Sequence, residues 1–335
     1  MKIAILLANM GGPDSLEAVE PYLLEIFKDP DIIDIPLPEF VRLPLVRFLA
    51  KKRAPESREI YQKLGGKTPL LEITQAQAQA LKQLLNEKND QRFEIFPAMR
   101  YWHPFMEEVW QKVTEEGFDK IVVLSMYPFF STTTSGSVIN EARRLMQKYN
   151  TPREKVLIID RFGDHPKFIE SMAEQLRQNL PQKGTDGEAH VLFSAHSIPM
   201  KRIHSGDPYF DEIKQAMDLM RRKFPQGSVK FHLSFQSKLG PIRWLSPATP
   251  EKIEELALQG VKRLFVFPLG FVADNSETIF EIGMLYRDLA LEKGIESYVR
   301  IEALNTQPLF MEALSQIVLE RLTADQVGQK ETKQN

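Results

Sequence analysis

Eight short, β-rich apolar runs alternate along this chain with longer segments of helical period, and that alternation constrains the fold more than any other feature. The runs cover residues 2–8, 93–98, 121–126, 156–160, 189–194, 229–235, 263–268 and 298–303. Such alternation predicts parallel sheet in an α/β architecture. Several runs are continuously apolar, as strands covered on both faces should be. The intervening segments are amphipathic. Val138, Ala142, Leu145, Met146 and Tyr149 share a stripe that starts after Ser135 and Ser137, both suited to capping. Phe210, Ile213, Met217 and Met220 form another, with Asp207-Pro208 as a start signal. A third helix, near 250–258, stops at Gly260, a suitable left-handed cap. These stripes read as core. Eight strands could build one large sheet or two sheets of four, and 335 residues favour two domains. The last strand and a final helix, about 308–322, are expected to return to the first domain. The polar tail after Ala324 is expected to fray.

Composition removes several classes of function. Lys and Arg number 43 against 45 Asp and Glu, a net charge of −2, so no nucleic-acid partner is expected. These residues include no cysteine, which excludes disulfides, iron–sulfur clusters and cysteine-ligated zinc. The longest apolar run, 264–273, is broken by Pro268 and Gly270 and falls short of the roughly 18 residues of a membrane span. Lys2 precedes only six apolar residues, fewer than the about 7–15 of a signal-peptide core. The expectation is a cytoplasmic protein, with peripheral membrane contact left open.

The residues with chemistry to offer lie just after strands: Asn9-Met10-Gly11-Gly12, Met99-Arg100-Tyr101-Trp102-His103, Tyr127-Pro128, Ala195-His196-Ser197 and 270–277. Open α/β sheets bind ligands beyond the carboxyl ends of their strands. Nucleotide loops are not among these segments. Gly66-Lys67-Thr68 ends like a phosphate loop, but Tyr61 holds the place of its first glycine and Pro69 interrupts the helix start. The six histidines include no His-x-x-x-His pair, so a permanent metal site is not expected. His196 closes an apolar strand in a polar turn. It reads either as a turn residue bonded to backbone or as a proton acceptor working near neutrality. Glu277 reads either as a first-turn acid beyond a cap at Asp274 or Asn275, or as a functional acid. Glu281 follows at i+4 on the same helix face, where like charge hints at proton or cation handling. Trp244, Tyr101, Trp102, Tyr127, Phe129 and Phe130 supply aromatics that would suit a large flat apolar ligand if they shared a cleft.

Taken in order, these segments resemble ferrochelatase, the family that inserts ferrous iron into a porphyrin. The resemblance runs through Leu7-Ala8-Asn9-Met10-Gly11-Gly12-Pro13, residues 61–69, Met99-Arg100-Tyr101-Trp102-His103-Pro104 and residues 127–136. It continues through Phe193-Ser194-Ala195-His196-Ser197-Ile198-Pro199, Gly206-Asp207-Pro208-Tyr209, residues 235–245 and residues 270–278. It implies two similar Rossmann-like, chelatase-like α/β domains, each a four-stranded parallel sheet flanked by helices, with the ligand cleft between them. The expected division is 1–127 plus 301–330 for the first domain and 128–300 for the second.

The resemblance also implies roles. His196 matches the family's essential histidine and Glu277 its essential acid; both are expected to face the metal, with Glu281 as a secondary acid. Met10, Tyr127 and Trp244 are expected to pack on the ring, and Thr68, Arg100 and Tyr101 lie where the family contacts ring or propionates. Short loops such as 38–54 are expected to form a lip. No cofactor is expected to be permanently bound: protoporphyrin IX and ferrous iron are the expected partners, as substrates, in a monomer or homodimer. Three departures are visible. Asn275 stands where many members carry histidine, Leu285 replaces a third acid, and Met10 and Asp14 occupy a segment that tends to hold tyrosine in the coproporphyrin-using branch. The expected reaction is therefore the protoporphyrin one, with a coproporphyrin III ferrochelatase or a non-catalytic porphyrin carrier as the alternatives.

Overall fold

All eight apolar runs form strands: β1 (Lys2–Asn9), β2 (Arg92–Met99), β3 (Lys120–Ser125), β4 (Val156–Ile159), β5 (Ala189–His196), β6 (Val229–Gln236), β7 (Arg263–Leu269) and β8 (Ser297–Arg300). The computed structural model describes residues 1–181, 189–225, 227, 229–238 and 240–334; Leu239, part of one of the motifs above, lies outside them. The strands pair in parallel as two four-stranded sheets, in the orders β2-β1-β3-β4 and β6-β5-β7-β8. The second order repeats the first, so the molecule is two similar α/β units, as expected from the sequence.

Period-two burial explains the continuous apolar runs. Ile3, Ile5 and Leu7 of β1 enter one hydrophobic cluster, while Ala4, Leu6 and Ala8 enter another on the opposite face. The first cluster also takes in Val191 and Phe193 of β5 and Phe265 and Phe267 of β7, so one apolar core joins both sheets.

Helices cover the faces. α1 (Val19–Lys28), α2 (Glu39–Lys63), α3 (Leu70–Lys88), α4 (Met106–Glu115) and α5 (Ser135–Lys148) belong to the first half of the chain. α6 (Pro166–Asn179), α7 (Met200–His204), α8 (Tyr209–Arg221), α9 (Thr249–Leu258), a π-helix (Glu277–Leu285), α10 (Tyr286–Glu292) and α11 (Pro308–Gln334) follow. α8 starts after Asp207-Pro208 as expected, with Asp207 Oδ1 accepting from the Tyr209 amide at 3.1 Å. Gly260 adopts φ +81° just beyond α9. Among the described residues no helix is long and apolar enough to cross a membrane.

Four expectations need correction. Ser135 and Ser137 do not cap α5; both are buried within its first turn, where Ser135 Oγ meets Ser125 Oγ at 3.0 Å and Ser137 Oγ donates to Asp29 Oδ2 at 2.6 Å. Residues 38–54 are not short loops, because α2 runs through them. It carries Pro44 and Pro55 inside, and the carbonyls these leave without N–H partners belong to Phe40 and Lys51, both exposed. Pro69 does not interrupt a helix; α3 begins directly after it. The tail does not fray at Ala324: α11 continues to Gln334, packs on α3, α6 and β4, and is anchored by a Lys120–Asp325 ion pair at 2.7 Å.

Candidate active site

The winding of each sheet reverses at one place, and the chemistry sits there. In the first sheet β2 and β3 flank β1, so the connections diverge and a crevice opens at the carboxyl ends of β1 and β3. Met10 follows β1 and Tyr127 follows β3. In the second sheet the corresponding strands are β5, which ends at His196, and β7, which leads through Gly270 to Glu277. These crevices share a cavity of about 1000 Å³ whose wall includes Met10, Tyr101, Tyr127, His196, Trp244 and Glu277. A second cavity of about 250 Å³ adjoins it and holds Thr68 and Glu281. Met10, Tyr127, Phe271 and Glu277 belong to both walls.

The turn after β1 is glycine-bound for steric reasons. Gly11 has φ +84°, a region that L-residues with a Cβ rarely adopt. At Gly12 a Cβ would collide with Thr68 Cγ2, so only glycine lets Thr68 approach this loop.

His196 and Glu277 meet directly, Nδ1 to Oε2 at 2.8 Å. Gln236 Nε2 and Ser237 Oγ donate to the same oxygen at 3.1 and 3.0 Å. Tyr209 Oη donates to the His196 carbonyl at 2.9 Å and fixes the end of β5. The side chains of His196 and Glu277 keep 40% and 24% exposure, because both are deep in the fold yet face the cavity. Burial alone would push the imidazole down, but the Glu277 charge, its hydrogen bond and the Glu281 charge hold it above its ordinary value. Burial alone would raise Glu277, but the His196 charge and the bonds from His196, Ser237 and Gln236 hold it below the usual carboxylate range. Glu281 goes the other way: burial and the Glu277 charge raise it, despite bonds from Ser237 and Tyr286. Each partner therefore favours the charged form of the other, carboxylate beside imidazolium, and Glu277 takes the Nδ1 side of the ring so that Nε2 lies on the other side.

Two predicted positions act at one remove. Arg100 lines neither cavity; its Nη2 donates to Asp29 Oδ2 at 2.9 Å and its Nε to Ser137 Oγ at 3.0 Å. Tyr101 is buried and donates to the same Asp29 oxygen at 2.7 Å, while contributing to the large cavity's wall. Of the other aromatics, Phe129 lines the large cavity, whereas Trp102 packs on His103 and Phe105, and Phe130 lies under the Arg161 guanidinium. Asn275 caps the helix that carries Glu277, its Oδ1 accepting from the Glu277 and Thr278 amides at 2.8 and 3.2 Å. Leu285 is half-exposed at the far end of the π-helix.

Sequence reasoning gave no role to Gln236, Ser237, Tyr209, Phe271 or Tyr286. Ser237 has φ +63°, and this backbone geometry places its hydroxyl within 2.9 Å of both Glu281 oxygens as well as on Glu277. Position after a strand was the only signal available for it.

Comparison with known proteins agrees with this architecture. A model of the ferrochelatase family matches residues 2–322. The ferrochelatase of Geotalea uraniireducens (strain Rf4) is 42% identical over 324 residues, covering 97% of this chain and 99% of that one. That of Aquifex aeolicus (strain VF5) is 41% identical over 318 residues, covering 95% and 99%. Among solved structures, the sirohydrochlorin chelatase SirB from Bacillus subtilis subspecies spizizenii, in complex with cobalt, superposes with a TM-score of 0.52 at 13% identity, covering 96% and 95%, which speaks to the fold alone. Identity of this order over nearly the whole of both chains fixes the family: the protein belongs to the ferrochelatases, which insert ferrous iron into a porphyrin.

Proposed function

We propose that this chain converts protoporphyrin IX to protohaem, the last step of haem synthesis, in the cytoplasm, with His196 and Glu277 as its catalytic pair. The observation that carries the reading is the His196–Glu277 pair facing a large aromatic-lined cavity between two sheets. That cavity is at the upper end of the roughly 300–1,000 Å³ of small-molecule sites, as a tetrapyrrole requires. The same reading divides the molecule as 1–127 plus 301–330 and 128–300, with the cleft between the two parts.

Insertion replaces two pyrrole N–H protons with one Fe²⁺ ion. Glu277 keeps the proton of the imidazole on Nδ1, so Nε2 presents a lone pair to a pyrrole N–H. Accepting that proton makes an imidazolium, which the adjacent carboxylate stabilises. Glu281, in the smaller cavity, is the next acceptor, and the two acids together favour the incoming cation. Met10, Tyr127 and Trp244 pack on the macrocycle and spend its binding energy on bending the ring, which turns nitrogen lone pairs toward the metal. Thr68 contacts the ring edge or its propionates, and Arg100 holds Tyr101 in place through Asp29.

The apolar part of the lining supports the choice of protoporphyrin IX as the substrate of this reading. Ile26, Phe27, Ile32, Ile33 and Ile242 make much of the wall. Its cations are Lys201, which pairs with Asp34, Arg202, which donates to the Asp31 carbonyl and Thr132, and Arg243, and these are the groups within reach of propionates. The test is anaerobic insertion of Fe²⁺ into protoporphyrin IX and coproporphyrin III, followed by loss of free-porphyrin fluorescence. A kcat/KM about tenfold or more in favour of protoporphyrin is expected; preference for coproporphyrin, or binding of both without insertion, contradicts the reading.

A further inference from the structure

Glu277 is held by a hydrogen-bond chain that begins away from the cleft. Gln236, the last residue of β6 and 1% exposed, donates to Glu277 Oε2 through Nε2. Its Oε1 accepts from Ser194 Oγ at 2.7 Å. Ser194 Oγ lies 2.9 Å from Thr249 Oγ1, which lies 3.0 Å from Ser234 Oγ. Ser194, Ser234 and Thr249 have no exposed surface.

The direction of this chain follows from counting protons. A hydroxyl has one to give, and an amide oxygen can only accept. Ser194 gives its proton to Gln236 Oε1, so Thr249 must donate to Ser194. Thr249 is then spent, so Ser234 must donate to Thr249; its other acceptor, the Phe193 carbonyl, is the longer contact at 3.3 Å. Every proton points toward Glu277. The opposite orientation of the Gln236 amide would set an oxygen lone pair against the carboxylate. Aligned chains of this kind polarise one another and strengthen the terminal donor.

We propose that Gln236 is a positioning residue for iron insertion, and that Ser194, Thr249 and Ser234 form the buried chain that keeps its amide donating. The inference rests on Glu277 being the acid of the proposed reaction. His196 Nδ1, Ser237 Oγ and Gln236 Nε2 all meet Oε2, which leaves Oε1 for the reacting centre. Thr249 lines neither cavity, so it reaches the chemistry through the chain alone.

Three variants of the full chain test this: Gln236→Leu, Thr249→Val and Thr249→Ser. Valine keeps the shape of threonine and ends the chain; serine keeps the hydroxyl. Gln236→Leu is expected to lower kcat for Fe²⁺ insertion about tenfold with KM for protoporphyrin within about twofold. Thr249→Val is expected to lower kcat about threefold, and Thr249→Ser to retain the wild-type value. Crystal structures of the variants read Glu277 directly, its carboxylate leaving its place in Gln236→Leu and Thr249→Val but not in Thr249→Ser. Wild-type kcat in folded Gln236→Leu and Thr249→Val, or a Thr249→Ser loss as large as that of Thr249→Val, overturns the proposal. Should the unsubstituted chain insert no iron, the functional reading fails separately, and an unmoved Glu277 carboxylate in both chain-breaking variants still overturns this one.

Discussion

His196, Gln236 and Ser237 meet on Oε2 of Glu277, Ser237 sharing its one proton with Glu281, so the charges of His196 and Glu277 depend on each other. In the proposed reaction the imidazole must be neutral to accept a pyrrole proton, and Glu277 holds its pKa above the ordinary value of about 6.5. As pH falls through that raised value the imidazolium forms, and insertion slows. Glu277→Gln removes the charge that raises it, so the acid limb of kcat against pH should move to lower pH while the maximum also falls. A limb that stays in place contradicts the pairing. His196 and Glu277 were legible in the sequence because each closes or follows an apolar strand in a polar turn. Gln236 and Ser237 sit in equally conspicuous segments, but nothing in residue type reveals that Ser237 adopts φ +63° or that Gln236 points inward. Arg100 shows the converse. Its residue type suits a propionate, yet Asp29, 71 positions earlier, claims it.

Glu277 and Glu281 ride on a π-helix, whose wider turns are common at functional positions. Its entry is nailed down by Asp274, a buried carboxylate that accepts from Thr278 Oγ1 and Arg300 Nη1, both at 2.7 Å, and from Asn305 Nδ2 at 3.0 Å. Gln77 of α3 adds bonds to the Val272 and Asn305 carbonyls at 3.0 and 2.9 Å, so the first half of the chain braces the same loop. Asp274→Ala takes the close carboxylate from the part-buried Arg300, leaving it only Glu302 at 3.9 Å, and should cost about 3 kcal/mol in denaturant unfolding; a loss under about 1 kcal/mol contradicts that role. The sequence showed two acids at i and i+4 but not the type of helix, since that spacing keeps them near one face in either geometry. Strands were the most legible elements because period-two burial writes itself into apolar runs, whereas the two prolines of α2 concealed a continuous helix.

β5 and β6 carry a second prediction at this scale. His190 Nδ1 and His232 Nε2 lie 3.1 Å apart with stacked rings. Burial, then the His190 charge, pushes His232 down to about 4. The unfolded chain takes up this proton near 6.5, so between these values it binds more protons than the fold, and stability is lost as pH falls from 6.5 toward 4. His232→Gln should therefore lose less in Tm between pH 7 and pH 4.5 than the parent chain; an equal or larger loss contradicts the shift.

One apolar core joins the two sheets, from Ile3 and Leu7 through Phe129 to Phe193 and Phe267, and α11 closes it at the first sheet. Two similar α/β units were legible from the strand count and chain length, but their common core was not, because it is assembled from residues far apart in sequence. Thermal unfolding followed by backbone circular dichroism and by the fluorescence of Trp102, Trp110 and Trp244 together should therefore give one shared transition, and two separated transitions would contradict a single core. At the centre of the molecule lies the proposed step, in which His196, held and stabilised by Glu277, takes up a porphyrin proton as iron enters. Single-turnover anaerobic insertion by the His196→Ala, Glu277→Gln double variant, with porphyrin binding measured on the same protein, tests it most directly. The account predicts binding within a few-fold of the parent and insertion slower by about 100-fold or more; haem formed at the parental rate would contradict it.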